Sequence, residues 1–228
     1  MVHRHLSQAP SLAGFLLLSL TTALAADQPP LAFEPNLGQT DPQVRFLARS
    51  PGAMVFFTGT EAVMVLRRRQ ENGTSRPGLP RRQHVRPAVE RQVVRMKLMG
   101  GAEAETAGLE KLPGVSNYFI GNDPSKWRTD IPHYARIRYH GVYPGIDMLC
   151  YSSGAGLEYD LVVAPGADPR RIELAWDGVD RIGRNADGDL VLGTRLGELV
   201  QKRPRVYQEI AAGAWRWRRS TWWPATGA

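Results

Sequence analysis

The sequence predicts an all-β domain, an antiparallel β-sandwich-like arrangement of many short strands with one short helical turn. Three observations carry this. Short runs of alternating apolar and polar residues recur along the chain, Gly, Pro, Asn and Asp turn signals separate nearly every pair of them, and no long stretch keeps the 3.6-residue period of an amphipathic helix. Short strands joined by tight turns favour antiparallel packing over βαβ units, whose crossovers need helices.

In order, the strand-like runs are 44–48, 54–58, 62–66, 93–98, 116–120, 135–139, 146–151, 157–163, 171–175, 190–192, 198–201 and 205–208. Ser50-Pro51-Gly52, Gly121-Asn122-Asp123-Pro124, Tyr143-Pro144-Gly145, Ala164-Pro165-Gly166 and Asp187-Gly188 supply turns between them. The helical turn is expected at 123–127, where Asp123 is placed to cap and Pro124 to take the first helical position. The single cysteine, Cys150, excludes an intrachain disulfide, and alternation sets it on one face with Ile146 and Met148 as a buried small hydrophobe.

The N-terminus reads as a signal peptide over residues 1–25. His3, Arg4 and His5 precede the apolar run 13–20, and Ala23-Leu24-Ala25 offers small residues at the positions a signal peptidase requires, so cleavage is expected after Ala25. The apolar run is shorter than the roughly 20 residues that span a bilayer as a helix, and no later segment is more apolar. Secreted, periplasmic or cell-surface localisation follows as an expectation, with a β-rich domain over 26–210.

The net charge of +7 is local. Residues 67–97 carry ten basic and two acidic side chains, a balance of +8, and the rest of the chain has a balance of −1. Asn72-Gly73, Pro77-Gly78 and Pro80 break periodicity there, so 67–92 reads as a basic, solvated, flexible loop. The alternative to a merely solvated loop is an electrostatic contact to an anionic surface polymer, lipid or nucleic acid. Nucleic acid is disfavoured, because no aromatics interleave the arginines.

A search for chemistry yields no catalytic set and no cofactor motif. His84, His133 and His140 have no metal-ligand spacing, and no serine stands in a nucleophile elbow. Asn185, Asp187 and Asp189 place oxygen ligands at alternate positions, as a hard cation needs. Leu190 stands where a calcium loop needs glycine, however, and Asp187-Gly188 is a hairpin turn signal. Glu158 and Asp160 share one side of a strand, the pattern of a half-solvated strand more than of an acid/base pair. Trp127, Tyr134, Tyr139 and Tyr143 are candidates for stacking on sugar rings, with burial in a β-rich core as the competing assignment.

Several segments occur in a fixed order: Phe33-Glu34-Pro35-Asn36-Leu37-Gly38-Gln39-Thr40, Asn117-Tyr118-Phe119-Ile120-Gly121-Asn122-Asp123-Pro124, Tyr143-Pro144-Gly145-Ile146-Asp147, Leu157-Glu158-Tyr159-Asp160 and Val163-Ala164-Pro165-Gly166-Ala167-Asp168-Pro169. Together they resemble the N-terminal domain of unknown function found in secreted bacterial SBBP-type β-propeller repeat proteins. The resemblance covers about residues 30–209 and implies a secreted or cell-surface role, with no catalytic residues to carry over. From Ala211 the pattern departs: 211–228 holds Trp215, Trp217, Trp222 and Trp223, reads as a truncation or frame-shift product outside the domain, and contains no propeller repeats. Two functions stand: a non-catalytic structural or interaction module of an exported bacterial protein, or a carbohydrate-binding or glycan-processing domain.

Overall fold

The computed structural model describes residues 13–22, 30–50, 52–69, 88–152, 156–210 and 214–217. The fold is all-β. Its strands are β1 (Ala13–Thr22), β2 (Phe33–Pro35), β3 (Phe46–Arg49), β4 (Ala53–Phe57), β5 (Glu61–Arg69), β6 (Val89–Leu98), β7 (Glu105–Tyr118) and β8 (Arg128–Tyr143). They continue with β9 (Ile146–Ser152), β10 (Leu157–Val163), β11 (Leu174–Asp177), β12 (Arg181–Arg184), β13 (Leu190–Thr194), β14 (Gly197–Gln201), β15 (Arg205–Ile210) and β16 (Ala214–Trp217). Among the described residues two 3-10 turns interrupt them, where sequence pattern indicates one. In each, an aspartate (Asp123, Asp168) accepts the N–H two residues on and a proline takes the first helical position, so Asp168-Pro169 repeats the signal of Asp123-Pro124.

All strands pair antiparallel in one continuous curled sheet, in the order β11-β6-β5-β4-β3-β2-β8-β9-β10-β1-β14-β13-β12. The 16-residue β8 is the spine. β7 runs along one side of it with two register shifts, and β2 and β9 share the other. The curl turns one face inward, so alternate residues of β4 (Ala53, Val55, Phe57), β5 (Ala62, Met64, Leu66), β6 (Val94, Met96, Leu98), β9 (Ile146, Met148, Cys150) and β10 (Leu157, Tyr159, Leu161) meet in one core. Cys150 is buried there, and burial pushes its thiol up, away from reactivity.

The described strands bear on three sequence expectations. The basic loop drawn at 67–92 is shorter, because Arg67, Arg68 and Arg69 continue β5 and pair with Arg91, Glu90 and Val89. Cross-strand ion pairs hold its charge on the sheet: Arg68 to Glu90, Arg95 to Glu61, and Lys97 to Asp177. Residues 70–87 lie outside the described residues. The tail does not separate cleanly at 210/211, since Ala214–Trp217 pairs with β15 through Tyr207↔Trp217 to Ile210↔Ala214. The Trp215/Trp217 alternation is a strand signal that finds a partner edge. Lastly, the apolar run assigned to the signal peptide forms β1 within the sheet, while the cleavage point after Ala25 lies outside the described residues.

The two ends of the curled sheet are clasped by Gln92 on β6. Its buried amide donates to the Gly178 carbonyl (2.9 Å) beyond β11 and accepts the Arg195 N–H (2.8 Å) in the β13–β14 turn. Gly178 has a φ of +74°, and a Cβ there would lie 2.1 Å from the Val93 carbonyl oxygen, so only glycine permits this approach. Gln92→Ala leaves a carbonyl and an N–H without partners at this closure, and a loss of about 1–3 kcal/mol is expected in chemical denaturation. An unchanged midpoint would mean the ends are held by packing alone.

Candidate functional site

The first two sequence segments named above come together at one end of the sheet. In the first, Asn36 organises the loop after β2: its Oδ1 accepts the N–H groups of Gly38 (3.1 Å) and Thr40 (3.3 Å), and its Nδ2 donates to the Asp41 and Val44 carbonyls. In the second, the chain leaving β7 turns at Gly121, whose φ is +74°, and Trp127 donates its indole N–H to the Gly121 carbonyl (3.2 Å). Arg128 joins the two loops, donating through Nε to the Leu37 carbonyl (2.9 Å) and through Nη1 to those of Ser125 (3.0 Å) and Trp127 (2.9 Å). Asp130 adopts left-handed backbone at φ +57°, held by its N–H bond to Asn117 Oδ1 (2.9 Å).

A polar network lies beneath these loops. The buried Glu34 carboxylate accepts the Tyr118 hydroxyl through Oε2, and Arg49 donates to that same hydroxyl while its guanidinium stands 4.7 Å from the Tyr118 ring centre. Burial, then the bond to Glu34 and its charge, push the Tyr118 hydroxyl up from the ordinary phenol range, and Arg49 opposes this. His133 Nε2 lies 2.8 Å from Ser116 Oγ and 3.9 Å from Glu34 Oε1. A serine–histidine–carboxylate relay needs the acid on the other ring nitrogen, Nδ1. Here Ser116 and Glu34 both face Nε2, so the three residues link β2, β7 and β8 without the geometry of that relay.

Several large apolar side chains on these two loops and on the adjoining end of β7 are exposed. Phe119 (62% exposed), Ile120 (60%), Leu37 (53%), Val115 (48%) and Trp127 (37%) all face solvent, and the Phe119 and Trp127 rings meet edge to face at 5.2 Å. Exposed apolar residues grouped on hydrogen-bonded loops are the usual mark of a contact surface.

Of the aromatic candidates, only Trp127 belongs to this surface. Tyr134 is half-buried, edge to face with Phe46 at 6.3 Å, while Tyr139 and Tyr143 are core residues. The Tyr143 hydroxyl donates to the Met99 (3.1 Å) and Glu173 (2.9 Å) carbonyls, which ties the β8–β9 turn to the start of β11. Asn185, Asp187 and Asp189 form the turn between β12 and β13. Asn185 Oδ1 accepts the N–H groups of Asp187 and Asp189, and Asp189 receives Lys202 Nζ (3.0 Å) and the Arg203 N–H (3.0 Å). Burial alone would raise the Asp189 carboxyl; these donors, with Asn185, hold it below its usual value. The Lys202 ammonium thus stands where a cation would. Among the described residues no three His, Cys, Asp or Glu side chains are grouped to hold a metal.

The chain matches a domain of unknown function, DUF7948, over residues 33–216. It belongs to the DUF7948 family. The match takes in both loops, the polar network and most of β16, so residues 214–216 fall inside the domain. No curated protein and no solved structure matches the chain.

The DUF7948 domain has one further buried acid, Asp160 on β10, which accepts the hydroxyls of Tyr151 (3.2 Å) and Tyr207 (3.5 Å). Burial raises its carboxyl from 3.8 to about 6, against the lowering effect of the two tyrosines. With the folded pKa above the unfolded one, the folded state binds the proton more tightly. Asp160 therefore favours folding most in acid, and that contribution is lost as pH rises through about 4 to 6. Asp160→Asn is expected to raise the melting temperature more at pH 7 than at pH 4. An equal shift at both pH values would show that Asp160 does not titrate in this range.

Proposed function

We propose that this DUF7948 domain is a non-catalytic interaction module of an exported bacterial protein, presenting the Leu37, Val115, Phe119, Ile120 and Trp127 surface to a macromolecular partner at the cell surface. The observation that carries this reading is the construction of that surface. Large apolar side chains on two loops and on the end of β7 stand in water, Arg128, Asn36 and Asn117 fix these segments through backbone hydrogen bonds, and the polar residues beneath are engaged with one another. A surface kept ordered at the cost of exposing Phe119 and Ile120 suits docking. Export by a signal peptide cleaved after Ala25 belongs to the same proposal and rests on the basic, apolar and small-residue segments of 1–25.

Trp127 favours a second reading, carbohydrate binding, because an exposed indole beside an edge-on Phe119 suits a sugar ring. Binding of the purified chain to isolated cell envelopes and to a glycan array separates the two. Under the favoured reading, a Phe119→Ser, Ile120→Ser double variant loses envelope binding by about tenfold or more, as loss of central apolar anchors does, and the array is silent. Specific sugar binding abolished by Trp127→Ala would replace it with the second reading. No binding to either would remove both.

A further inference from the structure

At one place the continuity of the sheet depends on the segment that reads as the signal core. β1 pairs with β10 along one edge, from Gly14↔Val163 to Leu20↔Leu157. Along its other edge it pairs first with β15 (Ala13↔Glu209 to Leu17↔Arg205) and then with β14 (Leu20↔Gln201 to Thr22↔Leu199). No strand pairing joins β10 to β14 or β15 directly. Side chains reach across: Gln201 Nε2 donates to the Tyr159 hydroxyl (3.0 Å), and the Tyr207 hydroxyl donates to Asp160. Positions 16, 18 and 20 of β1, all leucine, stand in register with Leu161, Tyr159 and Leu157, the three buried residues on the core face of β10.

Removal of residues 1–25 would therefore leave two facing strand edges with open N–H and C=O groups, bordering an apolar floor. We propose that this gap between β10 and β14–β15 is a strand-acceptor site. In the processed protein it takes an extended apolar segment of another polypeptide, antiparallel to β10, for which residues 13–22 are the built-in stand-in. Backbone pairing on both edges gives such a site its affinity, and alternate apolar positions give it selectivity. β1 defines the ligand's dimensions: seven residues paired to β10, with apolar residues in register with Leu157, Tyr159 and Leu161. The physiological part of this inference rests on the export reading above; the site itself does not.

The test uses the full chain with a specific protease site introduced within 23–29. After folding and cutting, the protein is titrated with a fluorescent peptide of sequence 13–22 carrying terminal lysines. Saturable one-to-one uptake by the cut protein and none by the uncut protein is expected. A peptide with Leu18→Asp, which sets a charge opposite Tyr159, should bind about tenfold or more weakly. A Ser19→Cys peptide should form a disulfide with a Glu158→Cys protein, the pair that the register aligns. If cutting unfolds the protein, recovery of its β-sheet circular dichroism on adding the peptide supports the site equally. Absence of uptake and recovery, or equal binding of the Leu18→Asp peptide, overturns it. N-terminal sequencing of exported protein tests the export reading separately: a start at Ala26 supports it, and retention of residues 13–22 defeats it without touching the peptide result.

Discussion

One apolar face has to be kept from water by a sheet that, among the described residues, has no helix layer to pack against. Curling is the physical solution. A strongly twisted sheet brings the inward residues of β4, β5 and β6 against those of β9, β10 and β13, and each large side chain buried there contributes on the order of 1.5–3 kcal/mol. The remaining features follow from that curl. Glycine is obligatory at Gly178 because the chain leaving β11 passes against the Val93 carbonyl of the neighbouring β6. Gln92 is buried because two backbone groups at the closure need partners. β8 is long because it spans the region where one side pairs with β7 and the other with β2 and β9.

The fold class was legible in the sequence because period-2 alternation and turn residues are local signals, and they sit where the strands and turns are. Leu157-Glu158-Tyr159-Asp160-Leu161 alternates as its strand requires, and Asp187-Gly188 marks a real hairpin. What escaped were features settled by distant partners. β2 has three residues, too few to show a period, and exists because β3 and β8 lie beside it. β7 up to Gly114, with Gly108, Pro113 and Gly114, lacks a β signature and is carried by its pairing to β8. The arginine run at 67–69 resembles a solvated loop, yet the ladder with 89–91 extends the hairpin, with Glu90 answering Arg68.

The functional end was less legible for the same reason. Glu34 and Tyr118 are 84 residues apart, and nothing in their spacing indicates that a carboxylate on β2 accepts a hydroxyl from β7. The available signal is that both stand inside the segments that carry the family resemblance. Residue type alone cannot separate Trp127 at the surface from Tyr139 in the core. The odd-numbered positions of β8 around Ile137 and Tyr139 face inward, and only the pairing fixes that face.

In the proposed role the DUF7948 domain is a scaffold that holds an apolar contact surface rigid from below, with the Glu34–Tyr118 bond tying β2 to β7 under both loops. A double-mutant cycle with Glu34→Gln and Tyr118→Phe, read by chemical denaturation and by hydrogen exchange at residues 37–40 and 119–128, tests this most directly. The predicted result is a coupling of roughly 1–3 kcal/mol, the size expected of a buried charged hydrogen bond, with faster exchange in both loops in either single variant. Additive single effects with loop exchange unchanged would contradict it.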